Sequence, residues 1–359
     1  MAADWRRRRR LVGLAGIKDV ADRAGLSIAT VSRALSGKAN VSAKSRQLAK
    51  TAADELGFVP SYHASSLASG RNHNVGLVVP SIHRWYFSSV LEGVSGTLLD
   101  AGYDLTLYNM GDLPERRRSV LTDFLLRKRL DAVIAVALVL SEAEIKQLLA
   151  FRRPIVGIGG ALAGASTIRI DDAGLARTAT EHLLGLGHTR IAHITGNAEL
   201  NQDFKLPGIR RAGFEAAMEA AGHAVRPEWV VSADFTIRGA YASARSLLAS
   251  AAGRPTAVFA ASDEMAIGVI LAARDFGLRV PQDLSVIGMD GHELGEVFGL
   301  TTINQDARGQ GALAARMLLE TLDAGAKRPA KGTSPPASAL DREYPTEFLV
   351  RNSTAVPPA

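Results

Sequence analysis

From Asn74 onward the chain alternates short apolar runs with longer stretches of helical periodicity, and this alternation restricts the fold more than any other feature. VGLVVP (75–80), DLTLYN (104–109), AVIAVA (132–137) and PIVGIG (154–159) read as parallel strands buried on both faces, with helices near 88–101, 115–128 and 141–151. RIAHIT (190–195), WVVSA (229–233), TAVFAA (256–261) and LSVIGM (284–289) repeat the scheme, with helices near 172–185, 209–221, 237–250 and 264–276. Gly93 and Gly213 fall inside the first helix of each set, and Gly102 and Gly222 end those helices, each pair 120 residues apart. An echo at that distance predicts two similar doubly wound parallel-sheet lobes. Ligands of such sheets sit beyond the carboxyl ends of the strands, here the loops after Pro80, Ala137, Gly159, Thr195, Ala261 and Met289.

Ahead of this α/β body lies a different pattern. In IKDVADRAGLSIATVSRALS (17–36), Val20, Ala21 and Ala24 share one helical face, and Val31, Ala34 and Leu35 recur at helical spacing after a corner at Gly25. Ser27 is placed to cap the second helix and Gly37 to stop it. The outward face, Ala29, Ser32, Arg33 and Ser36, is small apart from one arginine, which suits close approach to a major groove; a purely structural helical hairpin fits the spacing equally well. A third helix is expected from a Ser42 cap to Leu56, with Leu48, Ala49, Ala52 and Leu56 inward. PSYHASSLASG (60–70) has room for about two helical turns, too few for stability alone.

Charge separates the two parts. Residues 1–70 hold 12 Lys+Arg against 5 Asp+Glu, and the remaining 289 residues hold 30 against 31. A basic front on a near-neutral body is the footprint of one polyanion-binding module. With 359 residues, 47% of them hydrophobic, two or three domains can each bury a core. The chain has no cysteine, which removes disulfide frameworks and thiolate metal sites. No apolar run reaches the roughly 18 residues of a membrane span. Arg6 to Arg10 before LVGLAGI imitates an export signal, but the apolar part is short and no A-x-A-like cleavage site follows, so the expected location is the cytoplasm and the arginines form a basic arm. GIGGALAG (157–164) breaks the G-x-G-x-x-G pattern at Leu162, and no G-x-x-x-x-G-K-[ST] loop occurs, so neither nucleotide signal supports an enzyme and no cofactor is expected.

The run IKDVADRAGLSIATVSRAL, followed in register by VSAKSRQLAKTAADELGFVP, resembles the headpiece of the lactose/galactose-repressor family of bacterial transcription regulators. The likeness extends through LGHTRIAHITG, RAGFEAAM, SDEMAIGVILAA, DLSVIGMD and LTTINQD. It implies a helix-turn-helix headpiece (17–59) behind a basic arm (1–16), a hinge (60–70), a ligand-binding domain (71–351) of periplasmic-binding-protein type and a tail (352–359). The first lobe would take about 74–165 and 303–334, and the second about 166–300 and 340–351, with crossings near 162–171, 300–304 and the loop 325–339.

By the same resemblance Ile28, Ala29 and Arg33 read bases, Thr30 and Ser32 contact phosphates, and Leu67 wedges into the minor groove. Ser61 and Ser65 depart from the family's usual Asn and Arg. Arg210 and Asp290 match effector-contacting positions and suit a polyhydroxylated ligand, with a solvated helix face and a turn cap as their plain structural alternatives. Trp85 is expected to stack on the ligand while Phe87 packs in the core; Ser262 is expected to bond the ligand while Asp263 caps the following helix. Asp171 and Asp172 are expected as helix caps and His188 as structural. The implied function is a ligand-responsive regulator, expected to be a repressor, that binds double-stranded pseudo-palindromic operator DNA as a homodimer, with a tetramer left open and a sugar or related compound as effector. A solute-binding protein for uptake and a nucleotide-dependent oxidoreductase are the competing readings.

Overall fold

The computed structural model describes residues 15–35, 41–58, 71–111, 114–125, 130–138, 140–151, 153–160, 162, 164–197, 205–249, 253–326 and 340–358. The Arg6–Arg10 arm, Ser36, Gly37 and the segment carrying Ser61, Ser65 and Leu67 lie outside them. The chain divides into two units, 1–73 and 74–359.

The first unit contains α1 (Ile17–Ala24), α2 (Ile28–Leu35) and α3 (Ala43–Glu55). Gly25 ends α1 at φ 64°, a left-handed corner that a side chain would strain. Ser27 accepts from the Thr30 N–H at 3.2 Å and so caps α2, and Ser42 caps α3 by accepting from Ser45 at 3.1 Å. Val20, Ala21, Val31, Ala34, Ala49, Ala52 and Ala53 close the core. Leu48 and Leu56, expected inward, are 42% and 36% exposed. Ala53 is buried instead, beside Ala49 and Ala52, so the inner stripe of α3 runs through these three alanines.

The second unit holds two six-stranded sheets. In the first, β1 (Asn74–Val79), β2 (Asp104–Asn109), β3 (Ala132–Val136), β4 (Ile155–Ile158), β5 (Ser166–Arg169) and β11 (Asp341–Glu343) lie in the order β11-β5-β4-β3-β1-β2, all parallel. In the second, β6 (Ile191–Gly196), β7 (Val230–Ala233), β8 (Ala257–Ala260), β9 (Ser285–Asp290), β10 (Thr301–Asn304) and β12 (Glu347–Leu349) lie in the order β12-β10-β9-β8-β6-β7, with only β12 antiparallel. Helices α4 (Trp85–Asp100), α5 (Pro114–Ser119) and α6 (Glu142–Ala150) belong to the first lobe, and α5 passes into a π-turn at Val120–Phe124, not the single helix expected. The second lobe carries α7 (Asp172–Gly185), α8 (Leu206–Ala220), α9 (Ile237–Leu248), α10 (Asp263–Asp275) and the short α11 (Leu294–Val297), and α12 (Ala307–Ala326) returns to the first.

Glycine sets the helix contacts that cover these sheets. A Cβ at Gly93 on α4 would lie 1.9 Å from the Arg308 carbonyl of α12, and one at Gly213 on α8 would lie 2.3 Å from the Ala173 carbonyl of α7. Gly268 on α10 meets the Ile237 carbonyl of α9 in the same way, at 2.5 Å. Gly102 and Gly222 take φ 73° and 74° after their helices, so the 120-residue echo corresponds to matching roles.

The lobe limits differ from those expected. β5 at 166–169 pairs with β4, and β11 pairs with β5, so both belong to the first sheet, whereas 301–304 belongs to the second. Gly159, Gly160 and Gly164 have positive φ and turn the chain straight back beside β4, so no crossing occurs before Ile170. The chain crosses at 170–171, 305–306 and 344–346. Tyr344 ties the three together: its N–H donates to the Arg169 carbonyl at 2.7 Å and its hydroxyl to Asp306 at 2.7 Å.

Candidate functional site

On α2 the face opposite the core presents Ile28, Ala29, Ser32 and Arg33, all exposed, with Thr30 half-buried beside its cap. Thr30 Oγ1 lies 2.8 Å from Ser27 Oγ, and Arg33 Nε donates to the Ala29 carbonyl at 3.1 Å. Apart from Ile28 and Arg33 the exposed side chains of this face are small, which suits close approach of the helix backbone to a groove. The Arg23–Glu55 ion pair, 2.7 Å, joins α1 to α3 and fixes the frame on which α2 stands.

In the second unit a cleft opens between the lobes at the carboxyl ends of their strands, enclosing about 1110 Å³ with the open solvent at its mouth. Pro80, Ala137 and Gly159 line it from the first lobe, and Phe235, Ser262 and Asp290 from the second. Each follows or ends a strand, as doubly wound sheets require. Tyr86 and Phe87, from the first turn of α4, add aromatic faces.

Arg210 is nearly fully buried, and its charge is met inside the protein. Nε and Nη2 donate to Asp172 Oδ1 at 3.0 and 2.8 Å, and Nη1 donates to the Ala261 carbonyl. Asp172 therefore neutralises the arginine instead of capping α7; Asp171 does the capping, accepting from Gly174 at 3.0 Å. A buried pair of this kind aligns α7, α8 and the end of β8 and is strongly destabilising to break.

Asp290 is buried at the end of β9. Its Oδ1 accepts from Gln305 Nε2 at 2.6 Å and its Oδ2 from the Asp263 N–H at 3.3 Å. Burial, and then the neighbouring Asp263 carboxylate, raise its pKa well above the usual carboxylate value. Asp263 is also raised, by burial, although Thr302, His292 and Gly291 all donate to it. From Gln305 the polar chain continues across the lobes: Gln310 donates to the Gln305 carbonyl at 2.7 Å and accepts from the Tyr86 hydroxyl at 3.1 Å. Burial, then Asp172 and Asp290, hold that hydroxyl in its protonated form far above the usual range.

Arg210, Ser262 and Asp290 are thus brought to one cleft, and Trp85 is not part of its lining. Its ring stacks on His292 at 4.7 Å and its indole N–H donates to Glu293, so the residue spans the lobes, while Phe87 packs against the core as expected and also lines the cavity. At the neighbouring pair the cap expected of Asp263 is made by Ser262, through Met265 at 3.2 Å, while Asp263 holds the loop after β9. His188 is structural, within 2.9 Å of Thr256 and 3.0 Å of Ser285.

Phe235, Tyr86, Glu264, Gln305 and Gln310 line the cleft without having been singled out, and Asp172, expected only as a helix cap, lines it too. Phe235 sits at φ 58°, and its ring fills the space a Cβ at Gly196 would need, 2.0 Å away. The glycine ending β6 was the signal available in the sequence, but its partner lies 39 residues on. Among the described residues no cluster of three or more His, Cys, Asp or Glu could hold a metal ion, and no helix is long and apolar enough to cross a membrane.

Known proteins share both halves of this arrangement. Residues 16–61 match the family described as "Bacterial regulatory proteins, lacI family", and residues 180–343 match "Periplasmic binding protein-like domain". The HTH-type transcriptional repressor PurR of Serratia proteamaculans (strain 568) is 36% identical over 315 residues, covering 86% of this chain and 91% of that protein. PurR of Vibrio vulnificus (strain CMCP6) is 34% identical, with 86% and 92% covered. Among solved structures, a complex of the transcriptional regulator CelR with cellobiose is 29% identical with a TM-score of 0.66, covering 94% of this chain and 99% of that one. A LacI family regulator from Enterococcus faecium with bound ribose is 26% identical with a TM-score of 0.67, covering 79% and 99%. The lac repressor dimer bound to operator, 24% identical, shares the fold at a TM-score of 0.81 over 96% and 100%. With the helix-turn-helix and the two-lobed cleft both in place, the chain belongs to the lacI family of bacterial regulatory proteins, as a transcriptional repressor with an effector-binding domain.

Proposed function

We propose that the protein represses transcription as a homodimer on a pseudo-palindromic operator, and that a small polyhydroxylated molecule, a sugar or close relative, is its effector in the interlobe cleft. Arg33 with Ile28 and Ala29 reads base edges, Thr30 and Ser32 hold phosphates, and Leu67 serves as the minor-groove wedge. The observation that carries the effector assignment is the buried carboxylate of Asp290 beside the aromatic faces of Phe87 and Phe235. A carboxylate accepts from two vicinal hydroxyls while an aromatic face covers the apolar side of a sugar ring. Solved relatives with cellobiose and with ribose bound support the same ligand class. Arg210, expected as a direct contact, is tied to Asp172 and the Ala261 carbonyl and acts mainly by holding the wall.

Two lobes joined by three strands of chain can rotate as rigid bodies, so effector in the cleft would change the angle between the parts of a dimer and act on both half-sites together. A thermal-shift screen of sugars, sugar acids, nucleosides and purines on the full chain tests the reading. A sugar that raises the melting temperature of the wild type but not of Asp290→Ala, and that alters operator binding, is the expected result. A hit confined to purines, or one indifferent to Asp290→Ala, would overturn the ligand assignment.

A further inference from the structure

Trp85 lies at the amino end of α4 in the first lobe, yet three of its contacts reach the second. Its indole N–H donates to the Glu293 carboxylate, its ring stacks on His292 with 4.7 Å between centroids and 24° between planes, and its backbone N–H donates to the Glu264 carboxylate. The preceding residue adds to the same set, since the Arg84 guanidinium lies 5.8 Å from the Phe235 ring centroid and faces Glu264. These partners come from three separate elements of the second lobe: the turn after β7, the first turn of α10 and the loop after β9.

The receiving side is rigid. His292 is 7% exposed, and its Nδ1 accepts from the Leu294 N–H at 3.0 Å, which fixes the plane on which the indole rests. That loop is itself pinned by Asp263, which accepts from both Gly291 and His292 at 2.9 and 2.8 Å. A stacked ring, a hydrogen bond to a charged acceptor and a half-buried backbone bond act together here, and each depends on orientation.

We propose that Trp85 is a latch that ties the two lobes to one another beside the cleft, rather than a surface on which effector stacks. One ring face is covered by His292, the indole packs against the core of its own lobe, and the residue is not among those lining the cavity, so the ring bridges the two lobes. The contacts of Trp85 therefore restrain the angle between the lobes. The latch rests on the two-lobed domain alone. Failure of every candidate effector would remove the ligand assignment and leave the latch standing, because its test uses no effector.

The absence of native cysteine allows a clean distance measurement. Cysteines introduced at the exposed positions Lys146 on α6 and Glu219 on α8 carry nitroxide labels, and labelled full-length chain is diluted into unlabelled chain for pulsed dipolar spectroscopy. Wild type is expected to give one narrow interlobe distance, and Trp85→Ala a broader distribution displaced to longer distance, with the closed fraction relative to open reduced about tenfold. Glu293→Ala, which truncates a side chain 70% exposed and so endangers no core, is expected to shift the distribution in the same direction by less. Distributions of both variants superimposable on wild type would overturn the proposal, as would an equally broad distribution in wild type itself. Far-UV circular dichroism on the same samples separates opening from unfolding.

Discussion

Gln305 reaches Asp290 twice: its side-chain amide donates to Oδ1 at 2.6 Å, and its backbone N–H donates to the Asp290 carbonyl at 3.2 Å. The buried acid of the cleft is thereby bonded to the chain where it passes from one lobe to the other. Replacing Gln305 with leucine leaves the carboxylate short of its nearest side-chain donor, and the expected loss is about 1–3 kcal/mol of unfolding free energy. Urea titration of the second unit's transition measures it, and an unchanged midpoint would refute the role given to this amide.

Asp290 also governs a pH dependence. Its folded pKa is raised, so between the unfolded value near 3.8 and the folded one the native state holds the extra proton. Stability contributed by that proton is present at low pH and is lost as pH rises through the folded value. Asp290→Asn is expected to remove this decline, seen as a flatter plot of unfolding free energy against pH above about 4 than wild type shows.

His193 acts in the opposite sense. It is sandwiched between Phe214 and Phe259 at 5.0 and 4.8 Å, and burial lowers its pKa from 6.5 to about 4. Here the unfolded chain holds the extra proton, so stability present above pH 6.5 is lost as pH falls from 6.5 towards 4. His193→Asn, which does not titrate, is expected to lose less on acidification across that interval, by an amount of order 3 kcal/mol. Matching slopes in the two proteins would show that the ring is not neutral in the fold.

Gly93 and Gly96 make a paired test within one helix. A methyl at Gly93 meets the Arg308 carbonyl at 1.9 Å, whereas nothing lies within 4 Å of a methyl at Gly96. Gly93→Ala should force α4 from α12 and destabilise by about 1–3 kcal/mol, while Gly96→Ala should stabilise by roughly 0.5–1 kcal/mol through helix propensity. Thermal melts of the two variants, differing in the sign of the shift, decide it.

On α2, Arg33→Ala is expected to lower discrimination at one operator position by about 1–3 kcal/mol while leaving non-specific binding nearly intact. Binding to a library with each operator base varied in turn reads this directly. Wild-type selectivity in the variant would exclude Arg33 from base reading.

The elements that carry their own periodicity were legible. The strand at 104–109 and helix 172–185 fall where alternation and helical spacing put them, although β2, expected to be buried on both faces, is an edge strand with Asp104 and Leu107 exposed, and Ser27, Ser42 and Gly25 perform the turn and cap chemistry that their types suggest. β5 and β11 were not, because strands of four and three residues have no period to detect and are recognised only by a pairing that joins residues 174 apart. The cleft divides in the same way. Its position follows from the strand ends, but Trp85 as a cross-lobe contact, Asp172 as the partner of Arg210 and Ser262 as the cap in place of Asp263 depend on which side chain faces which in the folded domain. Local sequence says nothing about that facing.

β11 and β12 lie three residues apart in sequence and on the outer edges of different sheets. A ribosome making this chain therefore emits two lobes that both wait for the same late segment, and neither sheet can acquire its last strand until residues 341–349 are clear of the exit tunnel. Any stop codon placed before Asp341 would deprive both lobes at once.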